Sequence, residues 1–253
     1  MVQLVAAARN EAGPDGHGEV GVGGDGSARL VDDRAAVSLA ERPRWVSRGG
    51  EKLDHALRVL GIDVAGEDVC DLGSSTGGFV DRLLSGGARS VCAVDVGYGQ
   101  LDWRLRNDPR VTVLERTNAR DLDRDRLPAP PSFVTADVSF ISLTLALGPV
   151  LECARGGARG LVLVKPQFEA GRGQVGKGGV VREPAVHREV LLRVATWLEE
   201  RGWAVVGLCD SGLPGPKGNV EYFIYFCDAR PPLAGARLSL DAAVRRAVEA
   251  AHA

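Results

Sequence analysis

Lys52, Lys165, Lys177 and Lys217 are the four lysines of a chain that otherwise draws its positive charge from 27 arginines. The two residue types interchange on most surfaces, but only a lysine can surrender its proton and act as a base. The places of these four therefore matter. Lys165 ends an apolar run in VLVKPQFE, and Asp137 ends another in TADVSFIS. Lys52 follows Gly49-Gly50-Glu51, and Glu221 follows Gly218-Asn219-Val220. A second constellation is the glycine turn DLGSSTGG (Asp71 to Gly78), with Asp95 ending the next apolar run. Glycines in such a turn let the backbone approach a ligand, and the helix that follows offers free N–H groups. A carboxylate placed like Asp95 can accept both hydroxyls of a ribose, so the ligand reads as adenosine-like. The spacing is G-x-x-x-G-G, whereas a dinucleotide turn wants G-x-G-x-x-G. The early acid Asp71 also suits a cationic amino-acid moiety better than a pyrophosphate, which favours S-adenosylmethionine over NAD. A plain tight turn of an α/β protein is the alternative.

Two lysines and two carboxylates have a use beside such a ligand. Methyl transfer from a sulfonium to a ribose hydroxyl needs an alkoxide-like nucleophile in line with the methyl. A sugar hydroxyl is far too weak an acid to ionise at neutral pH. A lysine with a pKa depressed by desolvation and a neighbouring ammonium can take that proton, while carboxylates orient the ammonium groups. Holding both substrates together supplies much of the remaining acceleration. Separate surface ion pairs are the competing reading of Lys165 and Glu221.

The elements that must position these residues alternate in type from Ser47 onward, the pattern of a parallel sheet with crossover helices. Leu53, Ala56, Leu57 and Leu60 have helical spacing that ends at Gly61, a natural cap. Strands are expected at 68–72, 90–94, 111–114, 133–138 and 160–164, and helices at 78–85, 143–153 and 184–201. The long helix carries Val190, Leu191, Val194, Trp197 and Leu198 on one face. Strands at 204–209 and 220–227 close the sheet. If the last runs antiparallel, Glu221 begins it at the edge where Lys165 and Asp137 emerge. The fold class is thus α/β, a Rossmann-like, mostly parallel seven-stranded sheet with an antiparallel last strand. Residues 1–42 read as an irregular arm, 43–46 as a linker, 47–230 as the main domain and 231–253 as a helical tail.

A chain of 253 residues with 45% hydrophobic content excludes wholesale disorder, and a net charge of −2 excludes a polycationic nucleic-acid coat. The five cysteines form no C-x-x-C pair or Cys/His cluster, so neither a metal site nor a disulfide framework is expected. Cys70, Cys92, Cys209 and Cys227 read as buried thiols, which suits a reducing cytoplasm. No apolar stretch is long enough to span a bilayer, and no secretion signal opens the chain. A cytoplasmic protein with no membrane partner is expected.

The segments VSRGGEKL, DLGSSTGGF, VDVGYGQL, ERTNAR, DVSFISL, LVKPQFEAGR, GKGGVVR and GPKGNVEY together resemble the TlyA/hemolysin A family of FtsJ-like ribosomal RNA 2′-O-methyltransferases. The likeness runs from about Trp45 to Phe226, with the motifs in family order. It implies a catalytic tetrad on Lys52, Asp137, Lys165 and Glu221, and an RNA partner, the ribosomal subunits. It also implies S-adenosylmethionine contacts at Gly73, Ser75, Gly77, Gly78, Phe79, Asp95 and Asn118. Lys177 and Lys217, in glycine-rich loops flanking the tetrad, read as phosphate contacts, with Arg48, Arg172 and Arg182 as weaker candidates. The family's N-terminal S4 RNA-binding helices have no counterpart in residues 1–17, and 18–41 resemble only the strand portion. That leaves a small nucleoside or other hydroxylated metabolite as an alternative substrate. A non-enzymatic RNA-binding protein and a membrane-active hemolysin fit the tetrad and the hydropathy poorly.

Overall fold

A computed structural model of the chain describes residues 43–229 and 239–252, apart from the Arg172 side chain. The arm expected over 1–42, with its S4-like strands, lies outside the described residues. Residues from Trp45 onward belong to one compact unit.

Short apolar runs rich in Val, Leu and Cys form seven strands: β1 (Asp68–Leu72), β2 (Ser90–Val94), β3 (Val111–Leu114), β4 (Phe133–Ala136), β5 (Arg159–Val164), β6 (Trp203–Asp210) and β7 (Tyr222–Asp228). They lie side by side in the order β3-β2-β1-β4-β5-β7-β6. β1 to β5 pair in parallel, and β7 runs antiparallel to both β5 and β6. The expected antiparallel last strand is therefore present, though it starts at Tyr222 and leaves Glu221 just ahead of it. Among the described residues there are seven helices: α1 (Arg48–Val59), α2 (Gly78–Ser85), α3 (Trp103–Arg106), α4 (Leu143–Cys153), α5 (Pro166–Glu169), α6 (Pro184–Glu199) and α7 (Leu240–His252).

Because strand side chains alternate between faces, each strand feeds two cores. Leu72, Val94, Val134 and Val162 pack on one face with Leu147 of α4, Leu191 of α6 and Val244 of α7. Val69, Val91, Phe133 and Leu163 pack on the other with Leu53 and Leu57 of α1 and Leu83 of α2. Trp197 sits at the margin of the first core rather than inside it, only half-buried. Cys227 is a correction to the sequence reading: it is half-buried, because it lies near the end of β7 on the face of Tyr225, itself only partly covered. Cys153 is buried instead.

The order of strands reverses at β1, between β2 and β4, and in open α/β sheets ligands bind at such a switch, outside the carboxyl strand ends. The turn after β1 follows from that placement. Gly73 has φ +79°, and a Cβ there would lie 2.5 Å from the Asp137 carbonyl oxygen. The loops after β1 and β4 thus touch backbone to backbone. On the neighbouring face, a Cβ on Gly50 would lie 2.9 Å from the Gly78 carbonyl oxygen, so the first turn of α1 docks directly on the start of α2. That contact carries Lys52 toward the same edge.

Candidate active site

The loops after β1, β2 and β4 wall a cavity of about 500 Å³, within the usual range for small-ligand sites. Gly73, Ser75, Asp95 and Asn118 line it alongside the apolar Val96, Ile141 and Ala146. A second cavity of about 380 Å³ adjoins it, lined by Arg48, Gly78 and Phe79 among others. Gly73, Ser75 and Asp137 line both.

Asp95 is fixed by backbone donors: Ser75 N–H reaches one carboxylate oxygen and Gly97 N–H the other, each at 2.7 Å. Each oxygen keeps a lone pair for a hydroxyl. The Asn118 side chain accepts from Arg120 N–H at 3.1 Å at the cavity wall. Apolar walls beside a carboxylate with free lone pairs fit the base and diol of an adenosyl group, so the residues present fit S-adenosylmethionine. Phe79 packs against Phe223, with ring centroids 6.0 Å apart.

Two expected contacts fall elsewhere. Gly77, with φ +99°, packs against Leu101 and Leu105 and lines neither cavity. Asp71 is fully buried beneath the turn and also lines neither. One Asp71 oxygen accepts from Thr135 Oγ1 at 2.6 Å and the other has no hydrogen-bond partner among the described residues. Burial pushes its carboxyl up to about 7, against the pull of the Thr135 hydrogen bond and with help from Asp137 and Asp95.

The two lysines and two carboxylates form two ion pairs. Lys52 Nζ lies 2.6 Å from Glu221 Oε2, and Lys165 Nζ lies 2.5 Å from Asp137 Oδ1. Lys165 also donates to Ser139 Oγ at 2.9 Å. The Asp137–Lys165 contact is ionic rather than a directed hydrogen bond, since Asp137 Oδ1 is buried and receives none. Sheet register explains how the pairs meet. Val164 of β5 is paired with Tyr222 of β7, so Lys165 and Glu221, one step beyond, leave the sheet side by side. Glu221 is fully buried, and Gln167 Nε2 donates to its Oε1 at 3.1 Å.

Two aromatic residues extend the site. Phe140 is 90% exposed, lines the larger cavity and adopts φ +65°, a strained conformation for a bulky side chain. Its ring lies 5.0 Å from that of Phe168, and Lys165 Nζ lies 5.9 Å from the Phe168 ring. Glu169 holds the loop that carries Phe140, accepting from Leu143 N–H at 2.5 Å and from Ser142 Oγ at 2.9 Å. Sequence reasoning missed Phe140, Gln167, Phe168 and Glu169. Their only sequence signal is an aromatic, an amide or an acid inside DVSFISL and LVKPQFEAGR, beside the singled-out Asp137 and Lys165.

Of the flanking cations, Arg48 donates to the Pro214 carbonyl at 2.7 Å and lines the smaller cavity. Lys217 Nζ donates to the Gly178 carbonyl at 2.9 Å, tying the two glycine loops together. Lys177 and Arg182 are exposed, and Arg172 opens a short 3-10 turn. Lys217, Lys177 and Arg182 line neither cavity. Among the described residues, no group of three or more His, Cys, Asp or Glu could hold a metal ion, and no helix is long and apolar enough to cross a membrane.

Residues 45–227 match the FtsJ-like methyltransferase family. The chain belongs to that family. It is 49% identical over 224 residues to the 16S/23S rRNA (cytidine-2′-O)-methyltransferase TlyA of Mycobacterium tuberculosis, covering 87% of this chain and 83% of that protein. It is 38% identical over 200 residues to Hemolysin A of Brachyspira hyodysenteriae, covering 79% and 83%. A solved Streptococcus thermophilus structure bearing a hemolysin name shares 41% identity at a TM-score of 0.78, covering 88% of this chain and 80% of that one. The chain is thus a TlyA/hemolysin A-type FtsJ-like enzyme, and S-adenosylmethionine, the donor of the FtsJ-like methyltransferase family, is its methyl donor. The resemblance carried by the sequence motifs is confirmed at the level of family, fold and cofactor.

Proposed function

We propose that this FtsJ-like enzyme methylates the ribose 2′-hydroxyl of ribosomal RNA, with Lys165 as the general base of a Lys52–Asp137–Lys165–Glu221 tetrad. The observation that carries the reading is the pair of ion pairs at the carboxyl edge, with Asp137 lining both cavities. Bound S-adenosylmethionine supplies an electrophilic methyl on a sulfonium. Asp95, Ser75, Asn118, Gly73, Gly78 and Phe79 are the residues proposed to hold it. The Lys165 ammonium, paired with Asp137 as it stands, would first release a proton to water. Its free amine would then take the proton of the 2′-hydroxyl, and the bound cofactor would supply the methyl with its sulfur as the leaving group. Asp137 stabilises the ammonium formed on Lys165, and Glu221 keeps the Lys52 ammonium facing the developing oxyanion.

Phe140, exposed beside Phe168 at the cavity mouth, offers a face on which the base of an unstacked nucleotide can stack. Lys177, Lys217, Arg48, Arg172 and Arg182 are the proposed phosphate contacts around it. The name of the Mycobacterium tuberculosis relative supports rRNA, and cytidine within it, as the substrate. Labelled S-adenosylmethionine incubated with ribosomal subunits or with free nucleosides tests the choice. Label in ribosomal RNA is expected; label in nucleosides alone would replace this reading with a small-molecule methyltransferase.

A further inference from the structure

Asp71 and Gln167 each leave one buried side-chain oxygen at this edge of the sheet with no hydrogen-bond partner among the described residues, while the buried Asp137 Oδ1 is met by Lys165 Nζ. Buried polar groups that serve only as scaffold are nearly always paired. A concentration of exceptions at one place marks groups held for something other than folding. Asp71 lies under the glycine turn and Asp137 is in the tetrad, but Gln167 has no assigned part.

Its surroundings give it one. Gln167 lies in α5, the single turn that begins after Lys165, so its amide is placed by the same strand end that places the base. Its Nε2 donates to Glu221 Oε1 at 3.1 Å, while Lys52 Nζ sits 2.6 Å from Glu221 Oε2. The backbone of Gly215 closes the remaining side, where a Cβ would come within 2.3 Å of Glu221 Oε1. Each oxygen of the buried carboxylate thus has one side-chain donor, and only the Lys52 donor is charged. A neutral donor on Oε1 fixes the carboxylate plane without competing for its charge. An arginine or lysine there would compete with Lys52, and a carboxylate would repel.

We infer that Gln167 is a positioning residue of the methyl-transfer site: it clamps Glu221 so that the Lys52 ammonium is held at one point, and it links that pair to Lys165 through α5. The inference rests on the tetrad reading above, and it assigns Gln167 no contact with the reacting atoms. A displaced ammonium slows the chemical step and leaves ligand binding alone, because neither cavity is lined by Gln167.

The test compares Gln167→Met, which keeps length and loses the donor, with Gln167→Glu and with Lys165→Met. Turnover on undermethylated ribosomal subunits, KM for those subunits, S-adenosylmethionine affinity by calorimetry and melting temperature are read for each. Gln167→Met is expected to lower kcat by about 10- to 100-fold, the scale of a small misplacement, with KM and cofactor affinity unchanged and the melting temperature lowered by the buried Glu221 oxygen left without its donor. Gln167→Glu is expected to lose more. Wild-type kcat in both Gln167 variants beside a dead Lys165→Met would overturn this inference and leave the tetrad standing. Full activity in Lys165→Met would overturn the tetrad itself. A loss in Gln167→Met that appears in melting temperature or KM rather than kcat would reduce Gln167 to scaffold.

Discussion

Asp71 shows how far a single residue can depart from the role its position suggests. A carboxylate ahead of a glycine turn reads as a ligand contact, yet here it is sealed under the turn with its carboxyl pushed up to about 7, chiefly by burial. The consequence is a pH-dependent stability with a definite sign. Below about pH 4 the carboxyl is protonated in both folded and unfolded chains, and its contribution is fully present. As pH climbs from there through 7, the unfolded chain ionises freely and the folded one does not, so stability falls. The loss amounts to at most about 4 kcal/mol for a shift of this size. Denaturant titrations between pH 4 and 8 should show a steeper decline in the wild type than in Asp71→Asn; parallel curves would contradict the buried, neutral carboxyl. Phe140 departs in the opposite direction, an apolar side chain left in water. Phe140→Ala should leave the melting temperature unchanged while raising KM for RNA, since a base stacked on an aromatic ring is worth about 1–3 kcal/mol. An unchanged KM would remove Phe140 from the substrate site.

Among elements, the turn after β1 and the helix α5 do most to build the site. Gly73 combines a left-handed backbone with a carbonyl 2.5 Å from where its Cβ would be. Gly73→Ala should therefore cost about 1–3 kcal/mol in backbone strain alone, and push apart the loops carrying Ser75 and Asp137. Calorimetry should find cofactor binding weakened or lost; wild-type affinity would mean that the two loops need not touch. The helix α5 is only four residues long, yet Gln167, Phe168 and Glu169 reach Glu221, Phe140 and the start of α4 in turn. These elements differed in legibility. The glycine turn announced itself because positive φ and close approach demand glycine. In α5 each residue is ordinary by type, and its role exists only through partners elsewhere in the chain, such as Glu221, 54 residues from Gln167.

For the molecule as a whole, the sheet was readable because its central strands are buried on both faces and so appear as near-continuous apolar runs. β1, β2 and β3 have the expected bounds and the other strands moved by one or two residues, and the last strand runs antiparallel, the condition under which Glu221 comes to the ligand edge. The choice of partners was not readable. Nothing local in the sequence says that Lys52 pairs with Glu221, 169 residues away, and Lys165 with Asp137. That choice is made by β5–β7 register and by the docking of α1 on α2. The two cores also make the scaffold separable from the chemistry. Phe133, fully buried in β4, should cost about 3–5 kcal/mol when cut to alanine, visible in urea unfolding, with kcat retained wherever the variant remains folded.

The measurement that bears most directly on the account is the mapping of methylated positions in ribosomal RNA after incubation with S-adenosylmethionine and either the wild type or Lys165→Met. The wild type should add methyl groups to ribose 2′-oxygens, while Lys165→Met binds the cofactor and adds none, a loss of about 10²- to 10⁴-fold if Lys165 is the base. Methylation of a base nitrogen, or 2′-O-methylation undiminished in Lys165→Met, would contradict it.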